Sequence, residues 1–250
     1  MNDKELAAHA ALDYVEDKMT VGLGTGSTVN YFIDGLAKKI KSEGLSISTI
    51  ASSTVTEKLA KLADIKYISS DQVEKIDLYV DGADEITNEL ILLKGRGCDL
   101  IKEKILASSC SKFIVIADKS KIVAKISDKY PIPIEITPIA WKITKNVIKK
   151  MAKSCVLRKN AARDGQFITS YGNFVLDCYF EYDDLYVLAK SISETPGVFE
   201  HGIFYGLPIT VIIADQGSIS KKTIKMVTDN LPNEATKRKW ILDGHIPQAS

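Results

Sequence analysis

Three short segments carry residue types whose spacing suits chemistry on a small anionic molecule. Gly22-Leu23-Gly24-Thr25-Gly26-Ser27-Thr28 is a glycine-rich loop that ends in hydroxyls. Asp81-Gly82-Ala83-Asp84-Glu85 packs three carboxylates into five residues. Lys94-Gly95-Arg96-Gly97 sets two cations among glycines, with Glu103 just beyond. The first offers backbone N–H groups and a helix N-terminus to an anion. The second offers two nearby carboxylates, Asp81 and Asp84, able to hold different protonation states. In the third, the glycines allow close backbone approach and Lys94 can stabilise charge on an oxygen. Together these are the parts needed to handle a small phosphorylated sugar.

Each segment alone has an ordinary reading. The glycine loop lacks the Gly-Lys-Ser/Thr ending of a phosphate loop and the third glycine of a dinucleotide fingerprint, so by itself it is a tight strand-to-helix turn. The acidic cluster by itself is a solvated turn with a helix-capping Asp; it also contains oxygens suited to a divalent ion. Lys102-Glu103-Lys104 is by itself a charged helix surface, and the apolar spacing favours Leu100, Ile101 and Ile105 as core without settling where Glu103 points. Asp118-Lys119-Ser120-Lys121 is by itself a surface loop. The ordered combination is what carries information.

The elements that must position these groups alternate. Thr20–Leu23 reads as a strand, Val29–Ile40 as a helix capped by Ser27 or Thr28 and ended by Gly44, and 45–51 as a strand. A helix follows over Thr54–Leu62 with Val55, Leu59 and Leu62 inward, then strands over 65–68 and 76–80. An extended 90–93 precedes a helix that runs to about Ser108, and Phe113–Ala117 is again a strand. Continuous apolar runs of this kind suit a parallel sheet covered on both faces. The fold class expected is therefore α/β, a doubly wound, mostly parallel, Rossmann-like sheet, in which ligands bind beyond the carboxyl ends of strands. From Tyr130-Pro131-Ile132-Pro133-Ile134-Glu135-Ile136 the composition shifts. An edge strand, a helix over 138–152, a hairpin around Tyr171-Gly172-Asn173 and a helix over 183–192 predict a second, smaller α+β domain. Leu207–Ala214 then rejoins the first sheet, and 220–230 reads as a helix before a loose tail. The expected domains are 1–128 with 205–250, and 129–204.

With 250 residues the chain can bury about 70–75% of its unfolded surface, so one or two domains need no staples. Lys and Arg number 33 against 32 Asp and Glu, a net charge of +1, which argues against nucleic acid or an anionic membrane as partner. No run approaches the roughly 18 apolar residues of a membrane span. The start, Met1-Asn2-Asp3-Lys4-Glu5, is not a secretory signal, so a cytoplasmic protein is expected. Cys98, Cys110, Cys155 and Cys178 show neither metal nor redox spacing and read as reduced, mostly buried thiols. His9, His201 and His245 are scattered, so no metal site and no cofactor are expected.

These segments resemble the type A family of ribose-5-phosphate isomerases, and the resemblance covers most of the chain. It rests on Gly-Thr-Gly-Ser-Thr at 24–28, Asp-Gly-Ala-Asp-Glu at 81–85, Lys-Gly-x-Gly at 94–97 with Lys102-Glu103-Lys104-Ile105, and Phe113 to Lys121. Pro-Ile-Pro-Ile-Glu-Ile at 131–136, Gly172 to Asp177 and Ile192 to Val198 extend it. The resemblance implies metal-free interconversion of D-ribose 5-phosphate and D-ribulose 5-phosphate in the pentose phosphate pathway, by a homodimer or possibly tetramer. It implies that Glu103 moves hydrogen between C1 and C2. Substrate-binding residues are then Thr25, Gly26, Ser27, Thr28, Asp81, Gly82, Ala83, Asp84, Lys94, Gly95, Arg96, Gly97 and Lys121. Asp81 would open the ring, Asp84 orient hydroxyls and Lys94 stabilise the oxyanion. Lys121, Lys4 and Lys94 compete with the 24–28 loop for the phosphate. The chain departs from the family at Arg96, where glycine is usual, at Cys98, where a small residue is usual, and in the tail from about Ser220 to Ser250.

Other classes fit less well. A sugar-phosphate sensor of related fold would carry a DNA-binding helix pair, and about twenty residues before the first strand leave too little room for one. A sugar-phosphate deaminase/isomerase or a coenzyme A transferase with a glutamate nucleophile does not account for the acidic and Lys-Gly-x-Gly segments together.

Overall fold

Short apolar runs alternate with amphipathic stretches, and the computed structural model turns most of them into strands and helices. It describes residues 1–97, 99–227 and 239–243. Cys98 and the tail beyond these ranges, including 228–230 of the expected helix, lie outside the described residues. Two compact units form: Met1–Ala83 with Ile105–Lys121 and Tyr205–Ser250, and Asp84–Lys104 with Ile122–Phe204. Residues 84–104 and 122–128 thus group with the second unit.

The first unit opens with helix α1 (Asp3–Ala11), whose start is capped by the Asn2 side chain accepting from the Glu5 N–H. Strand β1 (Thr20–Leu23), helix α2 (Ser27–Glu43), strand β2 (Ser48–Ala51), helix α3 (Thr54–Leu62) and strand β3 (Ile76–Asp81) follow. The second unit supplies β4 (Glu85–Ile86) and β5 (Leu92–Leu93), and the chain returns to the first unit along α4 (Leu100–Ser109) into β6 (Cys110–Asp118). After the second unit come β12 (Ile209–Asp215), β13 (Ser218–Val227) and β14 (Lys239–Asp243). Their sheet runs β14-β13-β12-β6-β3-β1-β2. Its pairs from β12 to β2 are parallel, and β13 and β14 add antiparallel strands at one side. This is the doubly wound, mostly parallel α/β sheet that the alternation predicts. Val21, Leu23, Val80, Ile114 and Ile212 of the sheet pack with Phe32 and Leu36 of α2 and with Ala7, Ala8 and Ala11 of α1. Each large side chain of this kind contributes roughly 1.5–3 kcal/mol on burial.

Four local expectations for this unit are corrected. Helix α2 starts at Ser27 with Gly26 in the cap position at φ 134° and no side-chain cap; glycine tolerates that backbone, and the hydroxyls are left free of the capping role. In α3 the buried residues are Thr56 and Ala60, while Val55 and Leu62 are 61% and 84% exposed. The helix is phased by the Thr56 hydroxyl, which donates to Gly24 O at 2.8 Å. The segment 65–68 makes only a parallel bridge, Thr49 to Tyr67. The helix expected from 220 is strand β13, in register with β12 from Asp215–Ser218 to Thr210–Thr223; a tight turn at Gln216-Gly217 folds it back.

The second unit holds β7 (Ile132–Ile136), α5 (Trp141–Met151), β8 (Ala152–Leu157), β9 (Phe174–Phe180), α6 (Leu185–Ser193), β10 (Val198–His201) and β11 (Ile203–Phe204). One antiparallel sheet runs β10-β7-β9-β8 and a smaller one β11-β5-β4. The prolines of β7 suggest an edge, yet β7 is interior and buried along its length. Pro133 is tolerated because its carbonyl, and hence its missing N–H, faces β10 just where pairing gives way to a bend; the carbonyl accepts from Gly202 N at 2.8 Å. Ile132, Ile134, Ile136, Leu176, Leu188 and Ile192 form the core. Cys155 and Cys178 are buried free thiols on facing β8 and β9.

Candidate functional site

In the first unit the sequence-named groups gather around β1, β3 and the start of α2. Asp81 ends β3 and is buried. The Tyr79 hydroxyl donates to its Oδ2 at 2.5 Å, and the backbone N–H groups of Thr25 and Gly82 donate to its Oδ1 at 3.1 and 2.7 Å. Gly24 is required here: a Cβ on it would stand 2.0 Å from Asp81 Oδ1. The Thr25 hydroxyl turns away from the loop into a cluster with Ser52, Ser53 and Thr56, at 2.8, 2.7 and 3.0 Å. Thr25 therefore fixes the loop through its side chain and reaches Asp81 through its backbone.

Gly26, Ser27 and Thr28 lead into α2, whose first N–H groups have no partner within the helix, the arrangement that accepts an anion. Lys4, brought by α1, donates to Ser27 Oγ at 3.2 Å. Burial pushes the Asp118 carboxyl up, but hydrogen bonds from Ser120, backed by the charges of Lys121 and Lys4, outweigh it and hold it below the ordinary carboxylate range. Lys4 and Lys121 thus share a neighbourhood at the ends of β1 and β6, with Lys4 at the mouth of α2. Gly82 and Ala83 close the segment, half-buried.

In the second unit the groups are drier. Lys94 and Glu103 are each 4% exposed in their side chains, with Lys94 Nζ 3.3 Å from Glu103 Oε2. Lys94 also lies over the Phe204 ring at 5.7 Å, and its N–H donates to Gly202 O at 2.9 Å. Glu103 stands in the first turn of α4, whose buried stripe is Leu100, Glu103, Leu106 and Ala107. Ile105, expected as core, is 55% exposed; the helix is phased by Glu103 turning inward to Lys94. Next to Glu103, Lys104 points elsewhere, to Glu200 at 2.6 Å and to the carbonyls of His201 and Ile203 at 2.7 and 3.0 Å.

The loop between them is held at several points. Gly95 has φ 90°, and a Cβ there would meet Leu100 at 2.6 Å. The Arg96 guanidinium stacks on Tyr130 at 3.7 Å and lies 3.8 Å from Asp84 Oδ1, while the Arg96 backbone N–H donates to Asp84 Oδ2 at 3.4 Å. Gly97 is exposed. Arg158, which spacing did not single out, makes two bonds to Asp177 at 2.9 and 2.6 Å and donates to the carbonyls of Gly95 and Arg96 at 3.3 and 3.5 Å. No motif marks it; only the strand end that precedes it does. The three clustered carboxylates have three fates. Asp81 is bound in the first unit, Asp84 meets Arg96 in the second, and Glu85 is buried, accepting from the N–H groups of Ser127, Lys129 and Tyr130 at 2.6, 2.6 and 2.8 Å. Among the described residues no three His, Cys, Asp or Glu side chains gather as a metal site requires.

Comparison with known proteins identifies the relatives of this arrangement. Residues 48–218 match the family described as ribose 5-phosphate isomerase A (phosphoriboisomerase A). Ribose-5-phosphate isomerase A of Bacillus mycoides is 41% identical over 226 residues, covering 88% of this chain and 99% of its own. Among solved structures, ribose 5-phosphate isomerase A of Methanocaldococcus jannaschii is 34% identical with a TM-score of 0.83, covering 87% of this chain and 96% of its own. A D-ribose-5-phosphate isomerase in complex with phospho-erythronic acid is 40% identical with a TM-score of 0.83, covering 88% and 99%.

Proposed function

Because the chain belongs to the ribose-5-phosphate isomerase A family, we propose that it interconverts D-ribose 5-phosphate and D-ribulose 5-phosphate with Glu103 as the proton carrier. The observation that carries this reading is the buried Glu103 beside the buried Lys94. Isomerisation needs a carboxylate that removes the C2 proton of the open-chain aldose, giving an enediolate, and returns it to C1. It also needs a fixed cation for the oxygen on which charge develops. Glu103 and Lys94 have these two chemistries, in a place where little water screens them.

The other roles follow from what each side chain touches. Asp81, hydrogen-bonded by Tyr79, is assigned to ring opening, by moving the ring-hydroxyl proton. Asp84 is assigned to the sugar hydroxyls, held in place by Arg96. The phosphate is assigned to the start of α2 with Lys4 and Lys121, because those cations and unpaired helix N–H groups share one neighbourhood. This removes Lys94 from the phosphate and leaves it for the oxyanion. Homodimeric assembly and a cytoplasmic location belong to the same proposal; among the described residues no helix is long and apolar enough to cross a membrane.

The test is ketose formation from D-ribose 5-phosphate by purified protein, with and without EDTA. Equal turnover in both supports a metal-independent isomerase. Saturable binding without turnover would move the chain to the sensor class, and loss of turnover with EDTA would overturn the metal-free mechanism.

A further inference from the structure

One largely buried cation has no part in the chemistry above. Lys104 follows Glu103 in α4, and 18% of its side chain is exposed. An ammonium has three N–H donors. Those of Lys104 are taken by Glu200 Oε1 at 2.6 Å and by the carbonyl oxygens of His201 and Ile203 at 2.7 and 3.0 Å. His201 Nδ1 lies 3.4 Å away, but it already accepts from the Ile203 N–H at 3.2 Å. Glu200 Oε1 also accepts from the His201 N–H at 2.8 Å, which ties the receiving segment to itself. Burial pulls the ammonium down, and the Glu200 charge and hydrogen bond push it back up. Turning a lysine inward costs desolvation that a solvent-facing lysine avoids, so its direction needs a reason.

The segment that receives Lys104 also holds Lys94. The Lys94 N–H donates to Gly202 O at 2.9 Å, so the successive carbonyls of residues 201, 202 and 203 are bound by Lys104, Lys94 and Lys104 in turn. Strand β11 pairs with β5 through Ile203 with Leu93 and Phe204 with Leu92, the two residues before Lys94. Both ammonium groups lie against the Phe204 ring, Lys94 at 5.7 Å and Lys104 at 4.8 Å from its centre. Gly202 leaves no slack: a Cβ there would stand 2.3 Å from Lys94 O and 2.6 Å from the Pro133 ring. Residues 200–204 are therefore a common support for the strand end that carries Lys94 and for the helix end that carries Glu103. Neighbouring residues project about 100° apart around a helix. Holding Lys104 on one flank thus fixes the rotation of this end of α4, and with it the approach of Glu103 Oε2 to Lys94 Nζ at 3.3 Å.

We propose that Lys104 is a positioning residue for the isomerisation: by binding the segment that also holds Lys94, it sets the Glu103 carboxylate against the Lys94 ammonium. The proposal rests on the reading of Glu103 as the proton carrier. Displacing a reacting group by about 1 Å costs on the order of 100-fold in rate.

The experiment compares steady-state constants for Lys104→Met, Glu103→Gln and the two combined, with urea unfolding of each variant to establish that folded enzyme is assayed. Lys104→Met keeps the unbranched stem and removes all three donors. It is expected to lower kcat by about 10–100-fold with KM within about threefold. In the Glu103→Gln background, Lys104→Met should cost nothing further, because it acts through the group already removed. An unchanged kcat in folded Lys104→Met, a loss confined to KM, or an equal loss in both backgrounds would overturn the proposal. Should Lys104→Met fail to fold, Glu200→Ala removes the charged acceptor and is expected to lower kcat by about 3–10-fold; a normal kcat there overturns the proposal equally. Glu103→Gln alone judges the proton carrier: full turnover there sinks that reading, whereas lost turnover there with a normal kcat in Lys104→Met sinks only this inference.

Discussion

The two units use opposite physics for their functional groups. In the first, the groups assigned to the phosphate are backbone N–H donors at the start of α2 and two half-buried lysines, Lys4 and Lys121. Charges so placed remain partly solvated, and each contributes modestly to holding an anion. In the second, Lys94 and Glu103 are withdrawn from water and face each other. Such a pair gains little stability from being buried, because desolvation offsets its attraction. What it gains is strength toward a charge that appears during reaction. Under the proposed roles, substitutions among the first group should act mainly on KM and those at Lys94 or Glu103 mainly on kcat.

The sharpest break of that comparison lies at Lys94. Lys94→Gln is expected to lower kcat by about 10²–10³-fold, the usual loss for one oxyanion donor. A change in KM alone would place Lys94 with the phosphate group instead. In the first unit, Lys4→Ala and Lys121→Ala are each expected to raise KM by about 10-fold with kcat within about twofold, and the KM effect should shrink in added salt. A fall in kcat without a rise in KM at both positions would erase the division.

The smallest effect concerns stability, and follows from the dryness of the second unit. Burial, with the Lys104 charge behind it, pushes the His201 imidazole down to about 3. The unfolded chain then binds this proton first. The stability held by the neutral ring is complete above pH 6.5 and is lost as pH falls towards 3. Between pH 6.5 and 5 this amounts to about 2 kcal/mol, at 1.36 kcal/mol per pH unit. Urea unfolding of wild type and His201→Asn at these two pH values checks it: wild type should weaken and the variant should not.

Much of the fold was legible in the sequence; the division was not, since the expected boundary at 128/129 put Lys94 and Glu103 in the first domain. Thr20–Leu23 and Thr54–Leu62 appear at the bounds read from glycines and apolar spacing. The orientation of α3 was hidden, because Thr56 is buried by hydrogen bonds to Gly24 and Thr25 rather than by hydrophobicity. The same holds for α4, where a buried Glu103 replaces the Ile105 that a hydrophobic pattern selects. Strand β13 was misread because its lysines and serines resemble a solvated helix face; only pairing with β12 makes it a strand. Asp81, Asp84 and Glu85 were visible as one cluster, but nothing in their spacing told that Glu85 would be consumed by the 127–130 backbone. Arg158 was invisible as a support, since Gly95, to whose carbonyl it donates, is 63 residues away in the chain.

The most direct measurement is the turnover of Glu103→Gln on D-ribose 5-phosphate, taken together with its affinity for the same sugar phosphate by calorimetry. The account predicts that kcat falls by about 10²–10⁴-fold while affinity stays within about threefold, since the base is lost and the first unit's contacts are kept. Turnover near that of the wild type, with the same affinity, would contradict Glu103 as the proton carrier and with it the assignment of chemistry to the second unit.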